Sequence, residues 1–407
     1  MTASWLTVVG IGADGLPSLG ARARSALDAA EVIVGGARHL AMVEGLGKPT
    51  LAWRSPLTDT LPEILAHRPK PVAVLATGDP LWYGIARLLL RHLPMSEIHI
   101  VPHVAAFQEA CARLGWPLEG TTPLSLHGRS PETLRRHLQP GRRLLALTSD
   151  GTGPAAIAGM LREVGLGRSP MTVLENLAGA DERAMSAPAA DFPAARSADL
   201  NLVAIETVAD AATPLLPQVP GLPDDAFDHD GQLTKAEVRA ITVARLVPLP
   251  GQTLWDVGAG AGSVAIEWLR ATTDGRAYAI ERDSTRAARI RANAAALGTP
   301  ELTLVEGTAP ACLASLPRPD AIFLGGGVGE PGLLEACWSA LAAGGRLVAN
   351  AVTLGGEAAL LAFHGRHGGS LTRLAISRAE PVGGEIAWRP ALPVTQLVLR
   401  KSCVAAS

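Results

Sequence analysis

Residues Leu254 to Glu267 read LWDVGAGAGSVAIE. An apolar run that breaks into alternating glycines and then resumes with helix formers marks a buried parallel strand, a tight turn and a helix. Glycines at such a junction let the backbone pass close beneath a ligand, and the helix N-terminus favours the ligand's polar end. A dinucleotide-binding turn would need a third glycine at position 263, where Ser263 stands. The next apolar run, AYAIE, ends in Glu281. A carboxylate at that place can accept hydrogen bonds from both ribose hydroxyls of an adenosyl group.

Working outward, TKAEVRAITVARL (234–246) predicts an amphipathic helix, with Thr234 as N-cap and Glu237 completing a capping box. After the glycine turn come helix SVAIEWLRA, strand AYAIER, helix STRAARIRANAAALG, strands LTLVEG and DAIFLGGG, helix LLEACWSAL and strand RLVANAV. WRPALPVTQLVLR (388–400) reads as a final strand. Alternation of this kind predicts a Rossmann-like sheet.

The N-terminal half repeats the plan less regularly. LTVVGIG (6–12) is a buried strand into glycines, and EVIVGG and PVAVLATG continue the alternation. YGIARLLLRHL (83–93) and AAFQEACARLG (105–115) read as helices, the second ending at Gly115. MTVLENL and LNLVAIET read as late strands. A parallel α/β lobe followed by a mixed lobe fits best. Between the halves, Pro214, Pro217, Pro220 and Pro223 recur every third residue, and four aspartates follow. That period is the one of polyproline II. The expected division is 1–206, a Pro/Asp-rich linker at 207–230, and 231–407.

Composition narrows the function. The 407 residues are 48% hydrophobic and 18% charged, which excludes a disordered or fibrous chain. A net charge of −2 argues against nucleic-acid binding. All but four of the 36 basic residues are arginine, a planar fork suited to carboxylates. The four cysteines form no C-x-x-C pair, and the close pair His364 and His367 has no acidic neighbour. Neither a disulfide framework nor a metal site is therefore expected. The first residues lack a basic leader and no apolar run of membrane-spanning length occurs, so the expectation is a cytoplasmic enzyme.

The pattern D-x-G-x-G-x-G with Glu281 resembles the S-adenosyl-L-methionine (SAM) site of class I methyltransferases. QLTKAEVR, the glycine turn, AIERD, VEGTAP (305–310), LGGG (324–327) and GGRLVANAV (344–352) together look like the precorrin decarboxylating methyltransferase domain of cobalamin synthesis. That resemblance implies SAM contacts at Thr234, Gly258, Ala259, Gly260, Ala261, Gly262, Glu281 and Ala309. Where the family usually has E-G-D-A-P, this chain has Thr308, which brings no charge to the adenine side. Gly325, Gly326 and Gly327 offer a flat floor for a planar ring, and Arg239, Arg346 and Arg389 are candidates for gripping its carboxylates.

In the N-terminal half, VGIG (9–12), ATGDPLWYG (76–84), VPHVAAFQEACARLG (101–115) and TSDGTGP (148–154) resemble the tetrapyrrole (class III) methyltransferases, specifically the C5 enzyme of the cobalamin pathway. Gly10, Gly12 and Gly78 would frame the cofactor, and Asp79 would place a carboxylate near its amine. His103 and His127 read as structural. The fold class is therefore α/β: a two-lobed tetrapyrrole-methylase fold followed by a Rossmann-like class I fold.

Both domains on one chain resemble the fused decarboxylating precorrin methyltransferases. The resemblance implies one SAM per domain and a precorrin of the 6B type as acceptor. It implies C5 methylation by the N-terminal domain, C15 methylation with loss of the ring-C acetate carboxylate by the C-terminal one, and a homo-oligomer. A sulfonium is an activated donor and a reduced macrocycle is electron-rich, so alignment is the main demand on the protein. No residue is singled out as catalytic. Two other readings stay open: a different methyl acceptor, and one domain serving as a degenerate binding module.

Overall fold

The computed structural model describes residues 4–214 and 216–402. Cys403 therefore lies outside the described residues. The chain forms two compact units, which are described separately. The first runs to Pro131 and resumes over Pro140–Pro214; the second holds Glu132–Gln139 and the chain beyond the 214 boundary.

The first unit has two lobes. In the first lobe, strands β1 (Leu6–Ile11), β2 (Val32–Gly35), β3 (Thr50–Ala52), β4 (Val72–Thr77) and β5 (Ile98–Val101) form a parallel sheet in the order β3-β2-β4-β1-β5. Helices α1 (Ala21–Ala29), α2 (Ala37–Val43), α3 (Leu61–Ala66) and α4 (Ala86–Leu89) connect them. β1, β2 and β4 are apolar along nearly their whole length because both faces are covered. In the second lobe, β6 (Thr121–Ser125), β7 (Arg143–Leu147), β8 (Pro170–Glu175), β9 (Arg183–Pro188) and β10 (Asn201–Glu206) form a mixed sheet in the order β6-β7-β10-β8-β9, with α5 (Ala106–Leu114) and α6 (Gly153–Glu163). The helix expected over 83–93 is reduced to α4. Tyr83 takes a φ of 57°, outside the right-handed helical region. The Pro80 carbonyl instead accepts from the Ala86 amide at 3.1 Å, six residues on, so the chain loops before α4 begins.

The second unit carries helix α7 (Ala236–Leu246), then strand β11 (Thr253–Val257), helix α8 (Ser263–Ala271), β12 (Arg276–Glu281), α9 (Ser284–Ala296), β13 (Thr303–Glu306), β14 (Ala321–Leu324), α10 (Leu333–Ala340), β15 (Arg346–Ala351) and α11 (Leu354–His367). Four further strands follow: β16 (Ser370–Leu374), β17 (Ser377–Val382), β18 (Glu385–Pro390) and β19 (Val394–Arg400). The main sheet runs β13-β12-β11-β14-β15-β19-β16; β19 is antiparallel to both of its neighbours. Two cores sit on its faces, one around Trp268 and Phe323, the other around Trp255 and Phe363.

Three expectations are corrected here. The strand expected over 388–400 is two strands, because β18 pairs with β17 as a separate hairpin and the chain breaks before β19. Thr234 does not cap α7: Lys235 holds the N-cap position, no side chain caps it, and Glu237 binds Arg378 instead. The stretch 207–230 is not a free tether. Thr213 bonds the Gly165 carbonyl in the first unit at 2.6 Å, whereas Leu222 and Phe227 are buried in the second unit beside Ile266 and Leu297. Leu222, between Pro220 and Pro223, and Phe227, beyond them, gain more from burial than the chain loses by ordering.

Candidate active site

In the second unit, the carboxyl ends of β13, β12, β11, β14 and β15 meet in one cavity of about 910 Å3. The strand order reverses between β11 and β14, the place where open α/β sheets bind ligands. The turn after β11 lies at its centre. Gly260 takes a φ of 60°, and a Cβ there would lie 2.6 Å from the Gln232 carbonyl oxygen, so only glycine fits. Gly258 faces Gly326 so closely that the two glycine turns form the floor backbone against backbone.

Glu281 is buried at the end of β12. One carboxylate oxygen accepts from the Gly260 amide at 2.9 Å; the other accepts from the amides of Arg282 and Asp283. The carboxylate is therefore fixed in place by backbone donors while still lining the cavity. Beneath it, Asp256 accepts from the Ala265 amide at 3.0 Å, and its other oxygen is without a partner. Burial, reinforced by nearby Glu281, pushes the Asp256 carboxyl up to about 7, because a buried site disfavours the charged form.

Of the residues expected to contact SAM in this unit, Thr234, Gly258, Ala259, Gly260, Glu281 and Ala309 line the cavity. Ala261 and Gly262 do not; they turn the chain into α8, where Gly262 is the N-cap. Gly325, Gly326 and Gly327 line it as well.

The three candidate arginines separate. Arg389 lines the cavity from β18 and pairs with Glu380 at 3.0 Å. Arg239 does not: it is 0% exposed, bonds Glu267 at 2.6 Å and Asp224 at 3.2 Å, and lies over the Phe227 ring. Glu267 in turn accepts from the Gly221 and Leu222 amides. Arg239 therefore clasps the 221–227 segment instead of facing a ligand. Arg346 begins β15, at the opposite end of the sheet, where it bonds the Leu246 carbonyl and Gln252.

Sequence reasoning missed Arg378. It stands directly opposite Arg389 in the β17–β18 pair, and both line the cavity. Like charges directly opposite in a hairpin are unfavourable, and here each is offset by its own acid, Arg378 by Glu237 at 2.6 Å. The signal was present: Gly383-Gly384 between two extended runs is a hairpin turn.

In the first unit, β1 and β4 end side by side. A Cβ on Gly10 would overlap the Gly78 carbonyl, so the two strand ends touch backbone to backbone. Gly12, Gly78 and His103 line a cavity of about 50 Å3 closed by Leu174, Ala178 and Leu202 from the second lobe. Gly10 lies outside this lining, and so does Asp79. The Asp79 carboxylate caps the turn by accepting from the Leu81 amide at 2.8 Å, the usual use of an aspartate there. At the cavity wall Arg38 and His39 both bond the Thr77 hydroxyl at 2.9 Å. Burial, with Arg38 beside it, lowers His39 to about 4, since both effects disfavour the imidazolium. Among the described residues no group of three metal-ligating side chains occurs, and no helix is long and apolar enough to cross a membrane.

Comparison with known proteins covers both units. Residues 5–193 match the model of the tetrapyrrole (corrin/porphyrin) methylases, and residues 225–401 match that of the precorrin methyltransferase domain. A precorrin-6Y C(5,15)-methyltransferase [decarboxylating] from Sinorhizobium sp is 49% identical over 96% of this chain and 95% of its own. One from Mycobacterium tuberculosis is 42% identical over 97% and 100%. The crystal structure of the C-terminal domain of precorrin-6Y C5,15-methyltransferase from Rhodobacter capsulatus is 47% identical, covers 46% of this chain and 100% of that domain, and gives a TM-score of 0.44. The chain thus belongs to the decarboxylating precorrin-6Y C5,15-methyltransferase family.

Proposed function

We propose that the chain transfers methyl groups from SAM to C5 and C15 of a precorrin and removes the carboxyl group of the ring-C acetate, as a step of cobalamin biosynthesis. The observation that carries this reading is the cavity of about 910 Å3, which joins a glycine cradle and Glu281 on one side to the Arg378–Arg389 pair on the other. A cavity of this size lies toward the upper end of ordinary ligand pockets, and guanidinium pairs suit an acceptor that bears several carboxylates.

The residues fit the donor. Gly260 lets the turn pack against the Gln232 carbonyl beside the cavity, and Glu281 presents a fixed carboxylate toward a ribose. The α8 N-terminus follows the turn and favours the polar end of a ligand. When bound, SAM supplies a sulfonium methyl already activated for transfer. The chain's part is alignment: Gly325, Gly326 and Gly327 let a flat ring approach, and Arg378 and Arg389 hold its carboxylate arms. C15 methylation and decarboxylation are assigned to this second unit.

The first unit is assigned C5 methylation, with a second SAM between its lobes. Support comes from the close-packed Gly10 and Gly78 strand ends and from Gly12, Gly78 and His103 at the cavity. The cavity of about 50 Å3 is much smaller than ordinary ligand sites, so SAM entry requires the lobes to part. That volume is also the observation favouring a second reading, in which the first unit only binds or assembles. Titration of the full chain with SAM separates the two: two sites are expected, and one site favours the second reading. The function itself is tested by nuclear magnetic resonance of the product made with carbon-13-labelled SAM. Label at C5 and C15 is expected; label at other carbons overturns the assignment.

A further inference from the structure

Asn350 stands near the end of β15 and lines the cavity of the second unit, yet is only 9% exposed. It belongs to a buried polar cluster. Its Nδ2 donates to the Thr242 hydroxyl at 3.0 Å, and Gln396, its direct partner on β19, donates from Nε2 to Asn350 Oδ1 at 3.0 Å and to Thr242 at 3.1 Å. Thr242 is 0% exposed and Gln396 is 1% exposed. The surroundings are apolar, with Val243, Leu246, Val348 and Val398 in the adjoining core. An apolar trio would fill this volume with no desolvation cost, so the cluster is not there for stability.

A carboxamide has two donors and two acceptor sites. Asn350 uses one of each inside the cluster, which fixes its plane and leaves its second N–H outside the cluster, on a residue that lines the cavity. The sheet order says what that is. Glu281 ends β12 and Ala309 follows β13, on one side of the glycine turn after β11. β15 lies on the other side, beyond β14 and its glycines, together with the cavity-lining Arg378 and Arg389 of the hairpin. Asn350 therefore faces the acceptor half of the cavity, away from the adenosyl half.

Resting on the function proposed above, we infer that Asn350 is the donor that orients the acetate carboxylate lost as carbon dioxide. In that step the bond between the acetate methylene and its carboxylate carbon breaks and CO2 departs. The electron pair passes into the conjugated ring, and the methylene takes a proton from water to become a methyl. A guanidinium on that carboxylate would stabilise the ground state, whose charge must leave the oxygens, and so would raise the barrier. A neutral amide fixes direction without that counter-charge. The carboxylates that are kept go to Arg378 and Arg389. Thr242 and Gln396 act as positioning residues through Asn350.

The test uses the full chain with a precorrin-6B-type substrate and labelled SAM, reading CO2 release, C15 methylation and SAM affinity by calorimetry. Asn350→Leu is expected to slow CO2 release about 10- to 100-fold. C15 methyl transfer should fall less and SAM affinity stay within about twofold, the size of an exposed-contact effect. Asn350→Asp, which is isosteric but repels a carboxylate, should slow CO2 release at least as much. Gln396→Leu should show a smaller loss of the same kind. Decarboxylation at the wild-type rate in Asn350→Leu overturns the inference. So does a parallel loss of SAM affinity in both Asn350 variants, which would mark the cluster as structural. A wild-type chain that releases no CO2 would instead refute the function on which the inference rests.

Discussion

The two units place glycine at the carboxyl end of a parallel strand and enclose the space beside it in opposite ways. In the second unit the turn after β11 opens onto a cavity of about 910 Å3 at the carboxyl ends of the main sheet, and an exposed hairpin forms one of its walls. In the first unit the strand ends of β1 and β4 touch backbone to backbone, and a second lobe closes the cavity to about 50 Å3. An open crevice needs only side chains that point in; a cleft between lobes also needs motion.

The glycines break the comparison most completely. Gly260→Val forces a branched side chain against the Gln232 carbonyl in a left-handed backbone that such residues avoid. It should abolish C15 methylation and CO2 loss and reduce SAM stoichiometry from two sites to one. Gly10→Val should remove the other site. Calorimetric titration reads both, and a variant that keeps two sites contradicts the placement.

Arginines come next, because the structure gives them different work. Arg239→Ala strands Glu267 in the interior and should cost about 3–5 kcal/mol of stability, seen as a lower denaturation midpoint. A chain trimmed to 231–407 should be weakened similarly, since it lacks Leu222, Asp224 and Phe227. An unchanged midpoint would show that the clasp is incidental.

The pH response should differ in sign between the units. Asp256 titrates near 7 when folded and near 3.8 when unfolded. Between those values the folded state holds the extra proton, so this group's contribution to stability falls as pH rises through the window. Asp256→Asn should raise the melting temperature at pH 8 by an amount worth up to about 4 kcal/mol and leave it unchanged below pH ~4. His39 is the reverse. It titrates near 4 when folded and near 6.5 when unfolded, so its contribution is complete above 6.5 and is lost as pH falls toward 4. His39→Gln should flatten that acid limb in the first unit. Limbs of the same sign in both units would contradict these two environments.

The smallest effect is at the rim. Arg389→Ala removes an exposed guanidinium and should raise the precorrin KM about fivefold with SAM affinity and melting temperature unchanged. No change in KM would remove it from the acceptor wall.

The sheets were legible in the sequence because both faces of β1, β4, β11 and β14 are covered, which demands uninterrupted apolar runs. The hairpin of β17 and β18 announced itself only through its Gly383-Gly384 turn, because its strands are exposed along nearly their whole length and need no apolar alternation. The glycine turn and Glu281 were legible because their chemistry constrains residue type at fixed spacing. Arg239 and Arg378 look alike in sequence; only burial against Glu267 separates a clasp from a cavity-lining cation. Asp79 shows a related ambiguity: its carboxylate accepts from the Leu81 amide two residues on, and an aspartate there serves a turn as readily as a ligand. Asn350 is a polar residue in the apolar run RLVANA, but its meaning required β19 and α7 to be brought beside it.

The central claim is that one chain performs two methyl transfers and one decarboxylation on one tetrapyrrole. Mass spectrometry of a precorrin-6B-type substrate after incubation with the chain and methyl-labelled SAM tests it directly. The account predicts a product that has gained two labelled methyl groups and lost one CO2. A product with a single methyl, or with two methyls and the acetate carboxylate still in place, would contradict it.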